Sequence, residues 1–310
     1  MPDLLSKMGA AVLLSEHELM KLIRSAPRRY KVYPIPKRKA GEVRIIAQPA
    51  REVKALQYWL IDKFLDKLPV HSSATAYRIG KNIAHNARVH RLGSYVLKMD
   101  FKDFFPSIKA HDFRRYCKRN KIELESRELD AILRILFWKP KDSSTLILSI
   151  GAPSSPLLSN ILMRDFDEKV AKFCAKKKVR YTRYADDLSF SSKNSSSLRE
   201  VENYVTVLCE RIASPKLVLH QDKLVRVSKR DSRRITGLII TNDAKVSLGR
   251  ELKRKIRAAV HYFRFGRLDL VKSLELKGML AYVKSVEPSF LIRLQSKYGV
   301  ETIKKLQSLS

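Results

Sequence analysis

The chain has 310 residues, of which 63 are lysine or arginine and 31 are aspartate or glutamate, so its formal net charge is +32. Because this charge is spread along the whole chain, it indicates a polyanionic partner and argues against a lone basic tail. Nucleic acid is the favoured partner, and an anionic membrane surface is the alternative. No run approaches the roughly 18 apolar residues of a membrane helix, and three scattered cysteines exclude a disulfide framework or a cysteine metal site. We therefore expect a cytoplasmic protein with no membrane partner.

The first 94 residues predict an N-terminal helix followed by a two-stranded finger. A basic, glycine-containing turn at Pro36–Gly41 joins two short strands, so the hairpin could reach phosphate groups. Arg44 lies on the returning strand, where an ordinary solvated position is the more common interpretation. The predicted elements are a helix within residues 1–28, strands at Tyr30–Ile35 and Val43–Ala47, and helices over about 51–67 and 82–90.

Acidic residues stand at the ends of two predicted core strands, where structure alone does not call for them. Asp100 ends the apolar strand Tyr95–Asp100, and a buried carboxylate is unfavourable there unless it is paired or bound to a cation. Tyr184-Ala-Asp-Asp187 lies between two strand-forming stretches, which predicts a tight hairpin with two carboxylates at its tip. Because aspartate is also a favoured turn residue, the hairpin alone is equally compatible with an ordinary turn.

The remaining elements indicate an α+β fold. The loop Gly151–Pro156 is made of small residues and proline, so it could let backbone approach a ligand or could simply begin a helix. From about residue 249 to 310 the pattern is helical and basic, which predicts a separate domain. The intervening predictions are helices over 107–120, 126–138, 157–177 and 198–213, and strands at 217–220, 235–240 and 246–248.

Three carboxylates would meet at one edge if Asp100 and the Tyr184–Asp187 hairpin belong to one split βαβ sheet of ferredoxin type. They would repel one another unless divalent cations bridged them, and Mg²⁺ suits oxygen-only sites of this kind. Two such ions can activate an attacking hydroxyl and stabilise the leaving oxygen of an in-line displacement. With a basic surface for a template, this arrangement indicates nucleotidyl transfer.

The ordered motifs resemble those of reverse transcriptases. The resemblance rests on Asp100-x-x-x-x-Phe-Pro-Ser107, on Gly151–Pro156 with Leu158-Ser-Asn160, and on Tyr184–Asp187. Two further motifs, Asn86-Ala-x-x-His90 and Ile235-Thr-Gly237, resemble those of the bacterial retron branch. The resemblance to reverse transcriptases covers roughly residues 30–285. It implies a right-hand polymerase of the α+β class, with fingers in residues 1–94, a ferredoxin-like palm over 95–248 with a finger insertion at about 110–150, and a helical thumb over 249–310.

The resemblance also implies roles for single residues. Two Mg²⁺ ions, for which Mn²⁺ could substitute, would be bound by the carboxylates of Asp100, Asp186 and Asp187 and by the carbonyl of Phe101. Phe105 would be the steric gate that rejects a 2′-OH and so favours dNTPs. Arg44 would clamp the triphosphate, and Lys223 would donate a proton to pyrophosphate. The full set implied to bind the nucleotide is Arg44, Asp103, Phe104, Phe105, Gly151, Ala152 and Lys223.

Retron enzymes begin DNA synthesis from the 2′-OH of a guanosine in their own structured RNA, giving a branched RNA–DNA molecule. The resemblance therefore implies a cognate non-coding RNA as template and primer, and a separate effector protein in anti-phage defence. The retron motifs and the basic thumb would recognise that RNA. The residues implied to bind it are Asn86, His90, Arg233, Arg234, Ile235, Thr236, Gly237, Lys253, Arg254 and Arg257.

Two positions depart from the family pattern. Ile150 stands where reverse transcriptases usually carry glutamine, so a hydrogen-bonding role there is lost or taken elsewhere. Ile235 replaces the usual valine, a change of nearly equal volume. Two alternatives to an active polymerase are a catalytically idle RNA-binding scaffold of the same fold and an unrelated basic RNA-binding protein. The three acids argue against the first, and the ordered motifs argue against the second.

Overall fold

The computed structural model describes residues 4–36 and 41–309 and has the mixed helix and sheet content expected of an α+β protein. The middle of the predicted basic turn, residues 37–40, lies outside the described residues. The helices are α1 (Leu4–Val12), α2 (Glu16–Ser25), α3 (Arg51–Lys63), α4 (Ile83–Val89), α5 (Phe104–Ser107), α6 (Ala110–Arg119), α7 (Ser126–Leu136), α8 (Ser155–Leu162), α9 (Arg164–Lys176), α10 (Ser195–Arg211), α11 (Arg250–Arg264), α12 (Leu270–Val286), α13 (Pro288–Tyr298) and α14 (Val300–Gln307). The strands are β1 (Tyr30–Pro36), β2 (Val43–Pro49), β3 (Tyr95–Lys102), β4 (Arg180–Tyr184), β5 (Asp187–Ser192), β6 (Val218–Leu219), β7 (Val225–Ser228), β8 (Arg233–Ile235), β9 (Leu238–Ile240) and β10 (Val246–Ser247).

An antiparallel sheet with strand order β4-β5-β3-β6 forms the centre of the molecule, and β7 pairs with β3 on the same side as β6. This is the strand order of a split βαβ unit, as the sequence predicted. Strand β3 is buried on both faces, because the side chains of Val96 and Leu97 point to opposite faces of the sheet and both are buried. Helices α9 and α10 pack against the sheet and cover its apolar side.

The predicted finger hairpin is present, with β1 and β2 paired from Tyr30 opposite Pro49 to Pro36 opposite Val43. Its second strand is tied to the loop that follows Ile150, because the Ala47 N–H donates to the Ile150 carbonyl at 2.9 Å. Gly151 has φ +125°, and a Cβ there would come within 3.1 Å of the Ala47 carbonyl oxygen. Only glycine therefore allows the small-residue loop to lie this close to the finger.

The buried residues form two separate cores. The larger joins the sheet to the N-terminal helices and to α6–α10. The smaller joins α11–α14 to α4 and to a three-stranded sheet of order β10-β9-β8. Helical structure from Arg250 onward is confirmed, but the small sheet before it shares the core of these helices.

Three predicted elements are wrong in detail. The helix expected within residues 1–28 is interrupted, because Leu13 adopts φ +57° and Ser15 then caps α2 with Glu18. The helix expected over 157–177 is broken at Met163, which no sequence signal marks. The strand expected over 235–240 is a hairpin, because Thr236 (φ +46°) and Gly237 (φ +84°) form a two-residue turn of the kind that tight hairpins favour.

Candidate active site

The structure brings the three predicted carboxylates together. Asp100 near the end of β3 is paired directly with Asp187 at the start of β5, and directly paired residues in antiparallel strands have Cα atoms about 5 Å apart. The Phe101 N–H donates to the backbone carbonyl of Asp186 at 3.2 Å, which draws the hairpin tip towards β3. The hairpin is therefore not an isolated turn, since its two acids share one edge of the sheet with a third.

The tip of this hairpin is a two-residue loop with unfavourable backbone geometry. Tyr184 pairs with Asp187, so only Ala185 and Asp186 remain in the loop. Ala185 has φ +58°, a conformation that residues other than glycine rarely adopt. Its carbonyl accepts a hydrogen bond from Nη1 of Arg183 at 3.1 Å. Backbone strain of this kind is typical of functional sites and persists only where the surroundings hold it.

Burial and mutual repulsion make the ionised form of the acids unfavourable. Burial raises the pKa of Asp187 to about 6, and the carboxylates of Asp186 and Asp100 act in the same direction against the charge of Lys98. Burial, followed by the charge of Asp100, also raises the pKa of Asp186, although Lys223 and Arg44 lower it in part. The site therefore favours binding of positive charge.

Lys223, for which the resemblance implies the role of proton donor, lies at this edge. Its Nζ donates to Oδ1 of Asp100 at 2.8 Å. Partial burial lowers the pKa of Lys223, but the hydrogen bond and charge of Asp100, together with the other two carboxylates, raise it above the ordinary value. The side chain remains protonated at neutral pH and is half exposed towards the site.

The chemistry of this donor set fits a hard divalent cation. Within residues 4–36 and 41–309, no group of three or more histidine, cysteine, aspartate or glutamate side chains has the arrangement of a metal site, and one oxygen of Asp100 is bonded to Lys223. The three carboxylates nevertheless provide only oxygen ligands, which Mg²⁺ prefers. A dication would also relieve the repulsion that contributes to the raised pKa of Asp187.

A cavity of about 290 Å³ lies between α3, the Gly151 loop and the turn that follows β3. Three residues predicted to bind the nucleotide line it, namely Phe105, Gly151 and Ala152. Arg44 is exposed on β2, and its charge reaches Asp186. The complete lining is Lys54, Tyr58, Tyr77, Phe105, Ser149, Ile150, Gly151, Ala152, Pro153, Ser155 and Pro156.

The two remaining nucleotide-binding predictions fall on the turn after β3. Asp103 is exposed and adopts φ +46°, so it directs the chain into the short helix α5. The ring of Phe104 is buried and stacks on Phe101, with ring centroids 5.8 Å apart. The side chain of Phe104 is therefore not accessible to a ligand.

Tyr77 is a site residue that the sequence did not reveal. It lines the cavity with its ring centroid 6.5 Å from that of Phe105, and the residue is 50% exposed. Its φ of +59° is unusual for tyrosine. Burial, followed by the nearby Asp186, raises its pKa, so the side chain lies close to the carboxylates. The surrounding sequence resembled a basic turn and offered no signal that this side chain faces the site.

Four of the residues predicted to bind RNA have buried side chains. The prediction that these side chains contact RNA directly is therefore wrong. The four residues are Asn86, His90, Arg233 and Ile235.

The buried polar members of this set hold parts of the protein together. His90 lies between Ser191 Oγ, 2.8 Å from Nδ1, and Thr182 Oγ1, 2.7 Å from Nε2, so it links α4 to the β4–β5 hairpin. Burial lowers the pKa of His90 to about 3, and the ring stays neutral. Arg233 donates to the backbone carbonyls of Gly93 and Thr241.

The other predicted RNA-binding residues differ in how far they are available. Thr236 is half-buried and its hydroxyl donates to the Ile83 carbonyl at 3.2 Å, so the Ile235–Gly237 turn is bonded to α4, the helix that carries Asn86. Lys253 is held by Glu287 at 2.6 Å and by Ser247 at 2.8 Å. The exposed members are Arg234, Gly237, Arg254 and Arg257.

Comparison with known proteins decides which family has this site. Residues 35–240 match the family described as Reverse transcriptase (RNA-dependent DNA polymerase). The chain is 39% identical to the retron Ec83 reverse transcriptase of Escherichia coli, over 93% of each chain. This chain belongs to the retron reverse transcriptases. It is also 33% identical to the Escherichia coli retron Ec73 reverse transcriptase, over 98% of this chain and 97% of that one. Its activity is therefore that of an RNA-directed DNA polymerase.

A solved structure shows the same fold. Telomerase from Candida albicans, in a complex with a TWJ fragment of telomeric RNA, is similar with a TM-score of 0.52 and 16% identity. The match covers 93% of this chain, which spans 62% of the length of the telomerase chain. At this identity the likeness shows the reverse transcriptase fold alone. In the part of the chain that the structure describes, no helix is long and apolar enough to cross a membrane.

Proposed function

We propose that this reverse transcriptase joins deoxynucleotides at the edge of β3 and β5, where Asp100 and Asp187 are paired and Asp186 lies beside them. The observation that carries the proposal is this pairing, next to a cavity lined by Phe105 and Tyr77. The three carboxylates supply negative charge, of which the salt bridge from Lys223 to Asp100 balances only a part, and the cavity supplies an aromatic wall close to them. Catalysis in nucleotidyl transfer is mostly positioning and charge neutralisation, which both features serve.

Two divalent ions would be held by Asp100, Asp186, Asp187 and the carbonyl of Phe101. Mg²⁺ suits these oxygen ligands, and Mn²⁺ would be accepted as a substitute. When bound, such a pair of ions activates the attacking hydroxyl and stabilises the leaving oxygen. The chain itself holds the oxygen ligands in one place against their mutual repulsion, through the β3–β5 pairing and the Phe101–Asp186 backbone bond.

The incoming dNTP would occupy the cavity and the space above the acids. Phe105 would contact the sugar and exclude a 2′-OH, while Gly151 and Ala152 would contact the nascent base pair. Arg44 would clamp the triphosphate, with the backbone of Asp103 and Phe104 beside it. Lys223, protonated and bonded to Asp100, is suited to give a proton to the leaving pyrophosphate.

The template and primer would be a cognate structured RNA, copied in part into single-stranded DNA from the 2′-OH of a guanosine. The retron identity of the relatives supports this proposal, and so does the net charge of +32. Direct RNA contacts would come from the exposed Arg234, Arg254 and Arg257 and from the Gly237 turn. The four buried residues would contribute to RNA binding only indirectly, because they fix α4 and the β8–β9 hairpin against the sheet. They are Asn86, His90, Arg233 and Ile235.

The architecture supports a division into fingers, palm and thumb. The β1–β2 hairpin would belong to the fingers, which occupy residues 1–94. The sheet formed by β3 to β7 would be the palm, with a finger insertion at about 110–150. Helices α11–α14, over residues 249–310, would be the thumb. Because β8–β10 share the core of α11–α14, the small sheet would move with the thumb. We also propose that the protein works with a separate effector protein in anti-phage defence, and the similarity to retron reverse transcriptases supports this proposal.

The test is to purify the protein together with its bound nucleic acid and digest the RNA with RNase. We expect single-stranded DNA that remains attached to a branched RNA nucleotide. The same preparation of an Asp186→Asn variant should contain the RNA and no DNA. If the wild-type protein, supplied with cognate RNA, dNTPs and Mg²⁺, yields only RNA, the chain is an idle RNA-binding scaffold and the proposal is wrong.

A further inference from the structure

A fully buried ion pair lies directly behind the hairpin that carries Asp186, and none of the roles proposed above involves it. Arg183 of β4 forms two parallel hydrogen bonds with Asp167 of α9: Nη2 to Oδ2 at 2.6 Å and Nε to Oδ1 at 2.8 Å. Both side chains are completely buried. The hydroxyl of Tyr181 donates to the same carboxylate at 2.7 Å. Because a bidentate pair fixes the plane of a guanidinium, the remaining nitrogen of Arg183 has a defined direction.

That remaining nitrogen connects two walls of the active site. Nη1 of Arg183 donates to the backbone carbonyl of Ala185 at 3.1 Å and to Oδ1 of Asn160 at 3.1 Å. The side-chain amide of Asn160, also fully buried, donates to the backbone carbonyl of Ala76 at 3.0 Å. A continuous chain of hydrogen bonds therefore joins the residue before Asp186 to the residue before Tyr77.

Both ends of this chain of bonds carry strained backbone. Ala185 has φ +58° and Tyr77 has φ +59°, and neither residue type favours this region. Such conformations persist only where the surroundings determine them. Main-chain bonds fix the same segments to each other, since the Thr75 N–H donates to the Arg183 carbonyl at 2.8 Å. The network thus acts at the two places where the site needs support.

A purely structural role accounts for this arrangement poorly. Buried ion pairs contribute little net stability compared with apolar residues of similar volume. Here the guanidinium bonds the Ala185 carbonyl directly and is connected to the Ala76 carbonyl through Asn160. These carbonyls belong to the residues that precede Asp186 and Tyr77. Positioning groups of this kind have large effects on rate, because small displacements of reacting groups are costly in catalysis.

We propose that Arg183 and Asn160 are positioning residues that fix the distance between the carboxylate tip and the aromatic wall formed by Tyr77 and Phe105. This inference rests on the proposed function of the carboxylates. Asp167 and Tyr181 hold the guanidinium, the guanidinium holds the tip, and Asn160 transmits the position of the tip to the Tyr77 segment. These bonds would thereby keep the distance between Asp186 and the incoming nucleotide constant.

The first test replaces Asn160 by alanine, which removes both links through its amide and leaves the Arg183–Asp167 pair intact. The matched control is Ile161→Val, a small change at the next buried residue of α8, outside the network. For both proteins we would measure the thermal midpoint and, per active molecule, kcat, the KM for dNTP and the Mg²⁺ concentration that gives half-maximal rate. We expect Asn160→Ala to raise the KM and the Mg²⁺ requirement each by about ten-fold, and Ile161→Val to leave both unchanged.

A second variant separates the two ends of the network. Asn160→Asp keeps an oxygen that accepts from Arg183 but has no amide to donate to Ala76. It should raise the KM for dNTP and leave the Mg²⁺ requirement close to wild type. Should Asn160→Asp fail to fold, the comparison of Asn160→Ala with Ile161→Val still decides the matter.

The outcomes are distinguishable from failure of the proposed function. If Asn160→Ala lowers the thermal midpoint but keeps the wild-type KM and Mg²⁺ requirement, the network is structural only and the inference is overturned. If an Asp186→Asn variant synthesises DNA like the wild type, the proposed site itself is wrong, and the positioning role falls with it. An inactive Asp186→Asn protein beside an altered Asn160→Ala protein supports both.

Discussion

Replacement of Asp187 by asparagine should make the protein more stable while it abolishes DNA synthesis. The folded state raises the pKa of this carboxyl from an ordinary 3.8 to about 6, and a pKa that differs by one between the folded and unfolded states corresponds to about 1.36 kcal/mol. The whole pKa difference is therefore equivalent to about 3 kcal/mol of destabilisation of the folded state at neutral pH. Because the neighbouring acids contribute to the same pKa shift, we expect Asp187→Asn to raise the free energy of unfolding by about 1 to 3 kcal/mol. Asparagine has nearly the same shape and carries no charge, so it removes this cost.

The sign of the pH dependence follows from the direction in which folding changes the pKa of Asp187. Because the folded pKa lies above the unfolded one, folding takes up a proton between about pH 4 and pH 6. The stability of the wild type therefore falls as the pH rises through this window and is lowest, as far as this group is concerned, above it. The advantage of Asp187→Asn should be full at pH 7.5 and much smaller at pH 4.5.

The assay is urea or thermal unfolding in EDTA at these two pH values, followed by the same measurements with Mg²⁺. Mg²⁺ should stabilise the wild type, since it binds the folded state alone, and should stabilise the variant less. Asp222→Asn serves as the control, because Asp222 is an exposed acid near Lys223 and its replacement should change stability by less than about 0.5 kcal/mol. A variant at Asp187 that is less stable than wild type in EDTA at pH 7.5, or an advantage that does not depend on pH, would refute the reasoning.

Four further predictions concern the nucleotide cavity and the binding of RNA. Tyr77→Ala should raise the KM for dNTP by about ten-fold, since an aromatic contact is lost, whereas Tyr77→Phe should be close to wild type; steady-state kinetics of both variants distinguish a stacking role from a role of the hydroxyl. For Phe105→Ala we expect increased incorporation of rNTPs, measured by alkaline cleavage of the product, and unchanged discrimination would remove its gate role. RNA binding should weaken by about three orders of magnitude or more between 50 and 200 mM salt. An Arg254→Ala/Arg257→Ala double variant should reduce the salt slope of log K by about 2, and an unchanged slope would exclude these arginines from phosphate contact.

The sequence allowed the core of the site to be predicted because its signals are local. Asp100 ends a short apolar run that favours a strand, and the hairpin acids are flanked by strand-forming residues on both sides. The split βαβ order then brings them together, and the observed pairing of Asp100 with Asp187 agrees with that expectation. Local pattern and strand order were sufficient here because the pairing of two neighbouring strands brings Asp100 and the hairpin acids to the same edge.

The supporting residues could not be predicted in the same way. Arg183 and Asp167 are charged, and charged residues are rarely buried, so nothing in the sequence indicates that either belongs to the core. Their burial depends on a partner 16 positions away in the chain, which no local pattern reveals. The same limit applies to His90 and Arg233, for which the resemblance implied RNA contact but whose partners are Thr182, Ser191 and backbone carbonyls.

The central claim is that Asp100, Asp186 and Asp187 together form the site of DNA synthesis. The most direct test measures RNA-templated incorporation of dNTPs by the wild type and by Asp100→Asn, Asp186→Asn and Asp187→Asn, alongside RNA affinity at a fixed salt concentration. We predict that each variant loses synthesis by at least about a thousand-fold and binds RNA like the wild type. Retained synthesis in any of the three, or loss of RNA binding in parallel with activity, would contradict the account.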